Sequence, residues 1–210
     1  MKGLLIKDWF VIWKQGRIMI ILSLIYSILA VTGSGYFFAG FSSVFLAMLP
    51  LTVMGLDERC KWDHYAIALP YSRKDIVMSK YIITVLGALA ASVLFIASTV
   101  IKWSIDGNAG DFMSLMKQAF MLMSLGLFYS TINLPIAFRF GVDKGRLWFT
   151  LITVIVVAAL GGIITIFTTD MEQIGGFIQN LPFLVVPMIS FALLAVSYVI
   201  SVRIYENREL

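Results

Sequence analysis

Residues 18–56 read IMIILSLIYSILAVTGSGYFFAGFSSVFLAMLPLTVMGL, a run of 39 residues without a charge. As one helix this run would measure about 58 Å at 1.5 Å per residue, whereas the hydrocarbon core of a bilayer is about 30 Å thick. The run therefore predicts two membrane crossings joined by a turn near its middle. The residues that can break a helix there are Gly33, Ser34, Gly35 and Gly40, and the pattern leaves open which of them makes the turn.

Four further uncharged runs follow, at residues 81–101, 118–138, 147–169 and 183–202, and each is long enough for one crossing. Hydrophobic residues make up 60% of the chain, charged residues only 13%, and the mean hydropathy is +0.93. This composition excludes a soluble enzyme, a nucleic-acid-binding module and a disordered tail. We therefore predict an all-α polytopic membrane protein with six transmembrane helices.

Lysines and arginines fall almost entirely on one side of the predicted membrane. With six spans, fourteen of the sixteen lie at the N-terminus, in segments 57–80 and 139–146, or at the C-terminus, and the opposite side holds only Lys102 and Lys117. Because cytoplasmic loops are enriched in Lys and Arg, we expect both termini in the cytoplasm of a protein that resides in the plasma membrane.

Residues 1–16 are too charged to span the membrane and instead predict an amphipathic helix in the membrane interface. At 100° per residue, one arc of this helix holds Leu5, Ile6, Trp9, Phe10, Ile12 and Trp13, and the opposite arc holds Lys7, Asp8, Lys14 and Gln15. We expect Trp9 and Trp13 at the level of the headgroups, with Lys7 and Lys14 facing anionic lipid. The helix is either a simple membrane anchor or a lever that also contacts a cytoplasmic partner.

The longest predicted cytoplasmic connection is segment 57–75, DERCKWDHYAIALPYSRKD. Its spacing predicts a short helix over residues 57–69 that ends at Pro70, after which Ser72 and Asp75 form a capping box for the third span. One apolar stripe of the short helix holds Trp62, Tyr65, Ala66 and Leu69, whereas Asp57, Glu58, Lys61 and His64 occupy the remainder. The segment is either a plain connection or a docking surface for a partner protein.

None of the five uncharged runs contains Asp, Glu, Lys, Arg or His, so ion coupling through an intramembrane carboxylate is excluded. The chain also has no phosphate-binding loop and no zincin or serine-protease motif. We predict no catalytic, metal or cofactor site in this chain, and we interpret its single cysteine, Cys60, and its single histidine, His64, as ordinary loop residues.

Small and polar residues inside the spans predict where helices approach one another and where one bends. Gly87 and Ala91, and likewise Ala88 and Ser92, are spaced four residues apart, which allows close packing of the third span. In the fourth span, Pro135 predicts a local kink, and Asn133 offers a polar side chain to the backbone groups that the kink frees.

Two stretches carry a resemblance to a known family: MKGLLIKDWF at residues 1–10 and LDERCKWDHYAIALPYSRKDIVMSKY at residues 56–81. Together with the six predicted spans, they resemble the type-2 ATP-binding-cassette (ABC) permeases of Gram-positive bacteria. The chain is most similar to the permease subunits of the phenol-soluble modulin exporter.

The resemblance implies a single permease domain over residues 1–210 that works with a separate ATPase subunit, in which ATP and Mg²⁺ would bind. It also implies a second permease copy or paralogue, in a homodimer or a heterodimer. Segment 57–75 would then contain the coupling helix, residues 1–16 the connecting helix, and residues 170–182 an external, re-entrant element. The coupling residues that it implies are Asp57, Glu58, Arg59, Trp62, Tyr65 and Leu69.

The function expected from this resemblance is ATP-driven export of amphipathic peptides or similar amphiphiles. An immunity or resistance permease that clears an antimicrobial peptide or drug is the alternative within transport. A non-transporting membrane scaffold or assembly factor is the alternative of a different class. The expected partners are the ATPase, the second permease and membrane lipid, but not nucleic acid.

Overall fold

We describe the fold from a computed structural model. The structure describes residues 2–32, 35–66, 72–107, 110–142 and 185–207, together with the isolated positions 148, 151, 154, 155 and 158. The side chains at positions 63 and 64 are not among those described. The helices are α1 (Lys2–Gln15), α2 (Arg17–Thr32), α3 (Gly35–Ala47), α4 (Leu49–Arg59), α5 (Trp62–Ala66), α6 (Arg73–Asp106), α7 (Phe112–Phe140) and α8 (Val185–Glu206).

Several of these helices are long and apolar enough to cross a membrane. Four stretches qualify on their own, namely Tyr36–Arg59, Arg73–Asp106, Phe112–Phe140 and Val185–Glu206. A fifth is obtained if α1 and α2, which are bent by 68° at Gly16, are counted as one broken span. The predicted all-helical, multi-pass architecture is confirmed, whereas the six-span count stays a prediction.

Two sequence predictions fall partly or wholly on residues that the structure does not describe. The predicted span 147–169 contains only five described positions, and the predicted external element 170–182 lies outside the described residues. For the turn between the first two spans, α2 ends at Thr32 and α3 begins at Gly35. Positions 33 and 34 between these two helices lie outside the described residues, and which residue makes the turn stays a prediction.

The described helices run between the two ends of a bundle. We call one of these ends the basic end, where α1, the last turn of α4, the first turn of α6 and the last turns of α7 and α8 meet. Contacts at the basic end join Asp8 to Lys80, Glu58 to Val142, and Arg73 to the last turn of α8. Helix α2 therefore leaves the basic end, α3 and α4 return to it, α6 leaves it, and α7 and α8 both run toward it.

Helix α3 lies at the centre of the bundle, between α2, α6 and α7. A Cβ atom on Gly87 of α6 would lie 2.9 Å from the carbonyl oxygen of Leu46, so the missing side chain permits this close contact. Across the α7 face, the Ser43 hydroxyl donates to the carbonyl of Leu122 at 2.9 Å. The close approach predicted at Gly87 is confirmed, and short polar side chains add hydrogen bonds between the helices.

Helix α6 is 34 residues long, which corresponds to about 51 Å and exceeds the thickness of a bilayer core. Its first turn has the predicted capping box, because the Asp75 amide donates to the Ser72 hydroxyl at 3.2 Å and the Ser72 amide donates to the Asp75 carboxylate at 3.1 Å. This capping prediction is confirmed. The helix therefore extends from the membrane into the basic end, where it carries Lys80.

Pro135 lies inside α7 and cannot donate a backbone hydrogen bond to the carbonyl of Thr131. The hydroxyl of Ser197 on α8 donates to this carbonyl at 2.8 Å. The sequence assigned this compensating role to Asn133, and that assignment was wrong, because the Asn133 amide donates to Tyr129 at 2.8 Å. The donor comes from another helix, which the local sequence could not reveal.

Large apolar side chains cover much of the outer surface of the bundle. On α2, for example, Ile18, Ile21, Ile25 and Ile28 are all exposed, and α8 exposes Met188, Val196 and Ile200. Soluble monomers rarely expose continuous apolar patches of this extent. The outer surface therefore agrees with a lipid environment for these helices.

Candidate coupling site at the basic end

The face of α1 that packs against the bundle is not the one that the sequence predicts. Leu4, Asp8 and Ile12 are spaced four residues apart and are all buried, and Asp8 is completely inaccessible to solvent. The residues on the opposite side, including Trp9 and Trp13, are exposed, and these two indoles contact each other edge to face at 6.3 Å between ring centres. The prediction that Asp8 shares an outward arc with the lysines was therefore wrong, whereas Lys14 is exposed.

Four charged side chains meet where α1, α4 and α6 converge. Lys80 of α6 donates to Asp8 of α1 at 2.9 Å and to Asp57 of α4 at 2.8 Å. Lys7 of α1 donates to Asp57 at 2.6 Å and lies 3.1 Å from Asp8. We call Lys7, Asp8, Asp57 and Lys80 the charge network, in which two cations and two carboxylates balance.

The charge network is shielded from solvent at its centre. Lys80 is 3% exposed and Asp8 is fully buried, whereas the side chains of Asp57 and Lys7 are 14% and 23% exposed. The hydroxyl of Ser79 donates a further hydrogen bond to Asp8 at 3.1 Å. Because a buried charge is costly unless it is paired and hydrogen-bonded, each member depends on the others.

The segment between α4 and α6 does not form the single predicted helix over residues 57–69. Helix α4 continues through Arg59, a turn follows at Cys60 and Lys61, and α5 is a separate helix of five residues. Lys61 has a φ of 52°, the left-handed region that non-glycine residues adopt rarely. Asp57, Glu58 and Arg59 therefore belong to the helix of the predicted second span, and the prediction that they lie on a helix over residues 57–69 was wrong.

The predicted apolar stripe of the coupling helix is also divided between two environments. Trp62 is half-buried, packs against the main core and lies under the Lys7 ammonium, which is 4.4 Å from the ring centre. Tyr65, in contrast, is 67% exposed. Leu69, the last residue of the predicted stripe, lies outside the described residues. Of the two predicted aromatic anchors, Tyr65 is the one available to a partner.

A hydrogen bond to Glu58 links the C-terminal end of α4 to the C-terminal end of α7. The backbone amide of Val142 donates to its carboxylate at 2.6 Å. Gly141 next to it has a φ of 78°, and a Cβ atom there would collide with the Glu58 carboxylate. Glu58 and Asp57 are thus engaged inside the protein, whereas the sequence placed them on an exposed docking helix.

A small pocket opens beside these contacts, between α4, α6, α7 and α8. Its polar lining comes from Asp57, Glu58, Lys80 and Tyr205, and Phe138 supplies part of its apolar wall. At this pocket the Lys80 ammonium pairs with the Asp57 carboxylate, and the Glu58 carboxylate accepts a hydrogen bond from the backbone amide of Val142. No group of three His, Cys, Asp or Glu side chains suited to a metal ion occurs in the part of the chain that the structure describes.

A family model for the ABC-2 family transporter proteins matches residues 3–206, almost the entire chain. The chain belongs to this family. It is therefore a multi-pass membrane permease subunit of an ABC transporter, a kind of subunit that lacks the ATPase itself, pairs with an ABC ATPase and is typically found in a dimeric arrangement. No curated protein and no solved structure matches the chain.

Sequence reasoning missed Asp8, Ser79 and Lys80 as members of a site. Two signals were present nonetheless. Asp8 is the only acidic residue among the first 56, and it is spaced four residues from both Leu4 and Ile12. Lys80 directly precedes the uncharged run that starts at Tyr81, a position from which a lysine enters the apolar core or extends to the interface.

Proposed function

We propose that this chain is the membrane subunit of an ATP-driven exporter that moves amphipathic peptides or similar amphiphiles out of the cell. The basic end would face the cytoplasm of a cell whose plasma membrane holds the protein, and a separate ATPase would bind there. Family membership supports the transporter class, and the resemblance to the phenol-soluble modulin exporter supports the cargo class.

The observation that carries the ATPase docking proposal is the exposed tip, which we define as Cys60, Lys61 and Tyr65. All three side chains are exposed, and they follow directly on the fixed last turn of α4. Tyrosine is enriched among the residues that dominate the binding energy of protein interfaces. Residues that the fold already holds in place also lose less conformational entropy when they bind a partner. The exposed tip therefore suits a groove on an ATPase subunit.

A purified ATPase subunit of the ABC class supplies the test of docking. We expect Tyr65→Ala to weaken the complex about thirtyfold, the effect of losing a binding anchor worth about 2 kcal/mol, while the variant folds normally. Tyr36→Ala is the matched control, since Tyr36 is exposed at the opposite end of the bundle. Trp62→Ala should instead lower the melting temperature, because Trp62 packs against the core.

Binding that is unchanged in a Tyr65→Ala, Lys61→Ala double variant would place the ATPase elsewhere on the chain. If no ATPase binds at all, the scaffold hypothesis becomes the better one. Affinity is best measured with both proteins purified and the permease in lipid nanodiscs, so that membrane insertion does not influence the result.

The cargo class needs a separate measurement. We expect amphipathic helical peptides to raise the ATPase activity of the reconstituted complex, because the predicted spans are free of charge and offer an apolar route. Stimulation by host antimicrobial peptides or lipid-linked antibiotics alone would favour the immunity alternative. A charge-matched peptide of scrambled sequence, without an amphipathic face, is the control.

A further inference from the structure

We infer that Lys80 and Asp8 are positioning residues, which hold α1, α4 and α6 in one arrangement and thereby set the orientation of the exposed tip. This arrangement is a property of the chain alone and holds whether or not an ATPase binds. It would make the N-terminal helix and the exposed tip move together.

Lys80 of α6 lies between two helices that are distant from each other in sequence. Its ammonium group contacts Asp8 of α1 at 2.9 Å and Asp57 of α4 at 2.8 Å. Asp57 lies three residues before Cys60, the first residue of the exposed tip. Lys80 therefore fixes the last turn of the helix from which the exposed tip extends.

A second contact joins α1 to α5, the helix that carries Tyr65. Lys7 lies over the ring of Trp62 at 4.4 Å and donates to Asp57 at 2.6 Å. Its neighbour Asp8 is held from the other side by Lys80 and Ser79 of α6. A shift of α1 would consequently change contacts on both sides of the Cys60–Lys61 turn.

Charge balance makes this arrangement sensitive to single changes. Asp8→Asn leaves two cations with one carboxylate, and Lys80→Met leaves two carboxylates with one cation, so each variant buries an unbalanced charge. Removing both groups leaves the pair of Lys7 and Asp57, which is balanced. The double variant thus separates the loss of charge balance from the loss of the link through α6.

The experiment uses the full-length chain in nanodiscs with a nitroxide spin label on Cys60, the single cysteine of the chain. We expect Asp8→Asn and Lys80→Met each to lower the melting temperature by about 10 °C and to increase the mobility of the label. Lys74→Met is the matched control: Lys74 lies on the same helix, is 66% exposed, and is 4.0 Å from Glu206. It should change neither quantity.

The double variant Asp8→Asn, Lys80→Met decides between positioning and stability alone. We expect its melting temperature to recover above that of either single variant, while the label stays as mobile as in the single variants. Recovery of both quantities would show that the network serves charge balance only and would overturn the inference. So would single variants that behave like Lys74→Met. If Lys80→Met does not fold, Asp8→Asn and the double variant still give the answer.

A further comparison adds the ATPase to unlabelled samples of the same proteins. If the ATPase does not bind the unaltered chain, docking at the exposed tip fails, but the label measurements on the chain alone still test the positioning role. The two proposals can therefore fail independently.

Discussion

At the scale of single residues, the hydroxyl protons between α6, α7 and α8 have one consistent arrangement. The carbonyl of Thr131 can only accept, so Ser197 must use its proton there. Tyr81, 2.8 Å from Ser197, must then donate to it, and Ser201, 2.8 Å from Tyr81, must donate to Tyr81. This chain of bonds ends at the carbonyl that Pro135 leaves without a helical donor.

This arrangement predicts that the effect of Ser197→Ala depends on Pro135. Alone, the substitution leaves a buried carbonyl unpaired and should destabilise the protein by about 1–2 kcal/mol. In a Pro135→Ala background the backbone amide at position 135 can bond to Thr131, so the same substitution should cost much less. Equilibrium unfolding of the four proteins of this cycle measures the difference.

The control for this cycle is Ser190→Ala, which removes another buried hydroxyl from α8. Ser190 donates only within its own helix, to the carbonyl of Pro187 at 2.7 Å. Its loss should have a smaller effect that does not depend on position 135. Equal costs for Ser197→Ala in both backgrounds would contradict the role of Ser197.

At the scale of helices, the sequence predicts those features that depend only on residues close together in the chain, such as helix caps and membrane spans. The capping box of α6 needs only Ser72 and Asp75, and the predicted spans that fall on described residues correspond to helices because hydrophobicity is local along the chain. The inward face of α1 could not be predicted in this way, since the partner of Asp8 is 72 residues away. The turn at Lys61 was missed because no glycine, asparagine or proline marks it.

Close packing of α6 on α3 makes Gly87 sensitive to even a methyl group. A Cβ there would lie 2.9 Å from the carbonyl oxygen of Leu46. Because this oxygen belongs to the backbone of α3, the clash can be relieved only if α3 or α6 shifts. We expect Gly87→Ala to destabilise the protein by about 1–3 kcal/mol, as measured by thermal unfolding in nanodiscs.

Gly55→Ala provides the matched comparison for Gly87→Ala. Its Cβ would lie 3.2 Å from a methyl group of Val142, a side chain that can adjust. The substitution should therefore cost less, and both variants contain the same added methyl group in a helix. If Gly87→Ala is no worse than Gly55→Ala, the contact with Leu46 does not limit the approach of α6 to α3.

At the scale of the whole molecule, the first and last described helices meet at the same end. Arg73, in the first turn of α6, donates to the carbonyl of Tyr205 at 3.3 Å, and Asp8 of α1 contacts Lys80 of the same helix. Helix α1 and the last turn of α8 therefore lie at one end of the bundle. Helix α7 ends at the basic end, whereas α8 begins at the opposite end, and residues 143–184 connect them.

Which side of the membrane holds the basic end can be tested with cysteine labelling in intact cells. Because fourteen of sixteen Lys and Arg residues fall on the predicted cytoplasmic side, we expect Cys60 to resist an impermeant maleimide until the cells are permeabilised. Cys60 is exposed, so protection in intact cells would come from the membrane and not from the fold. In a Cys60→Ala background, Asp106→Cys should label without permeabilisation, since Asp106 is exposed at the opposite end of α6. Labelling of Cys60 in intact cells, together with protection of position 106, would reverse the orientation and place the exposed tip where no cytoplasmic ATPase could reach it.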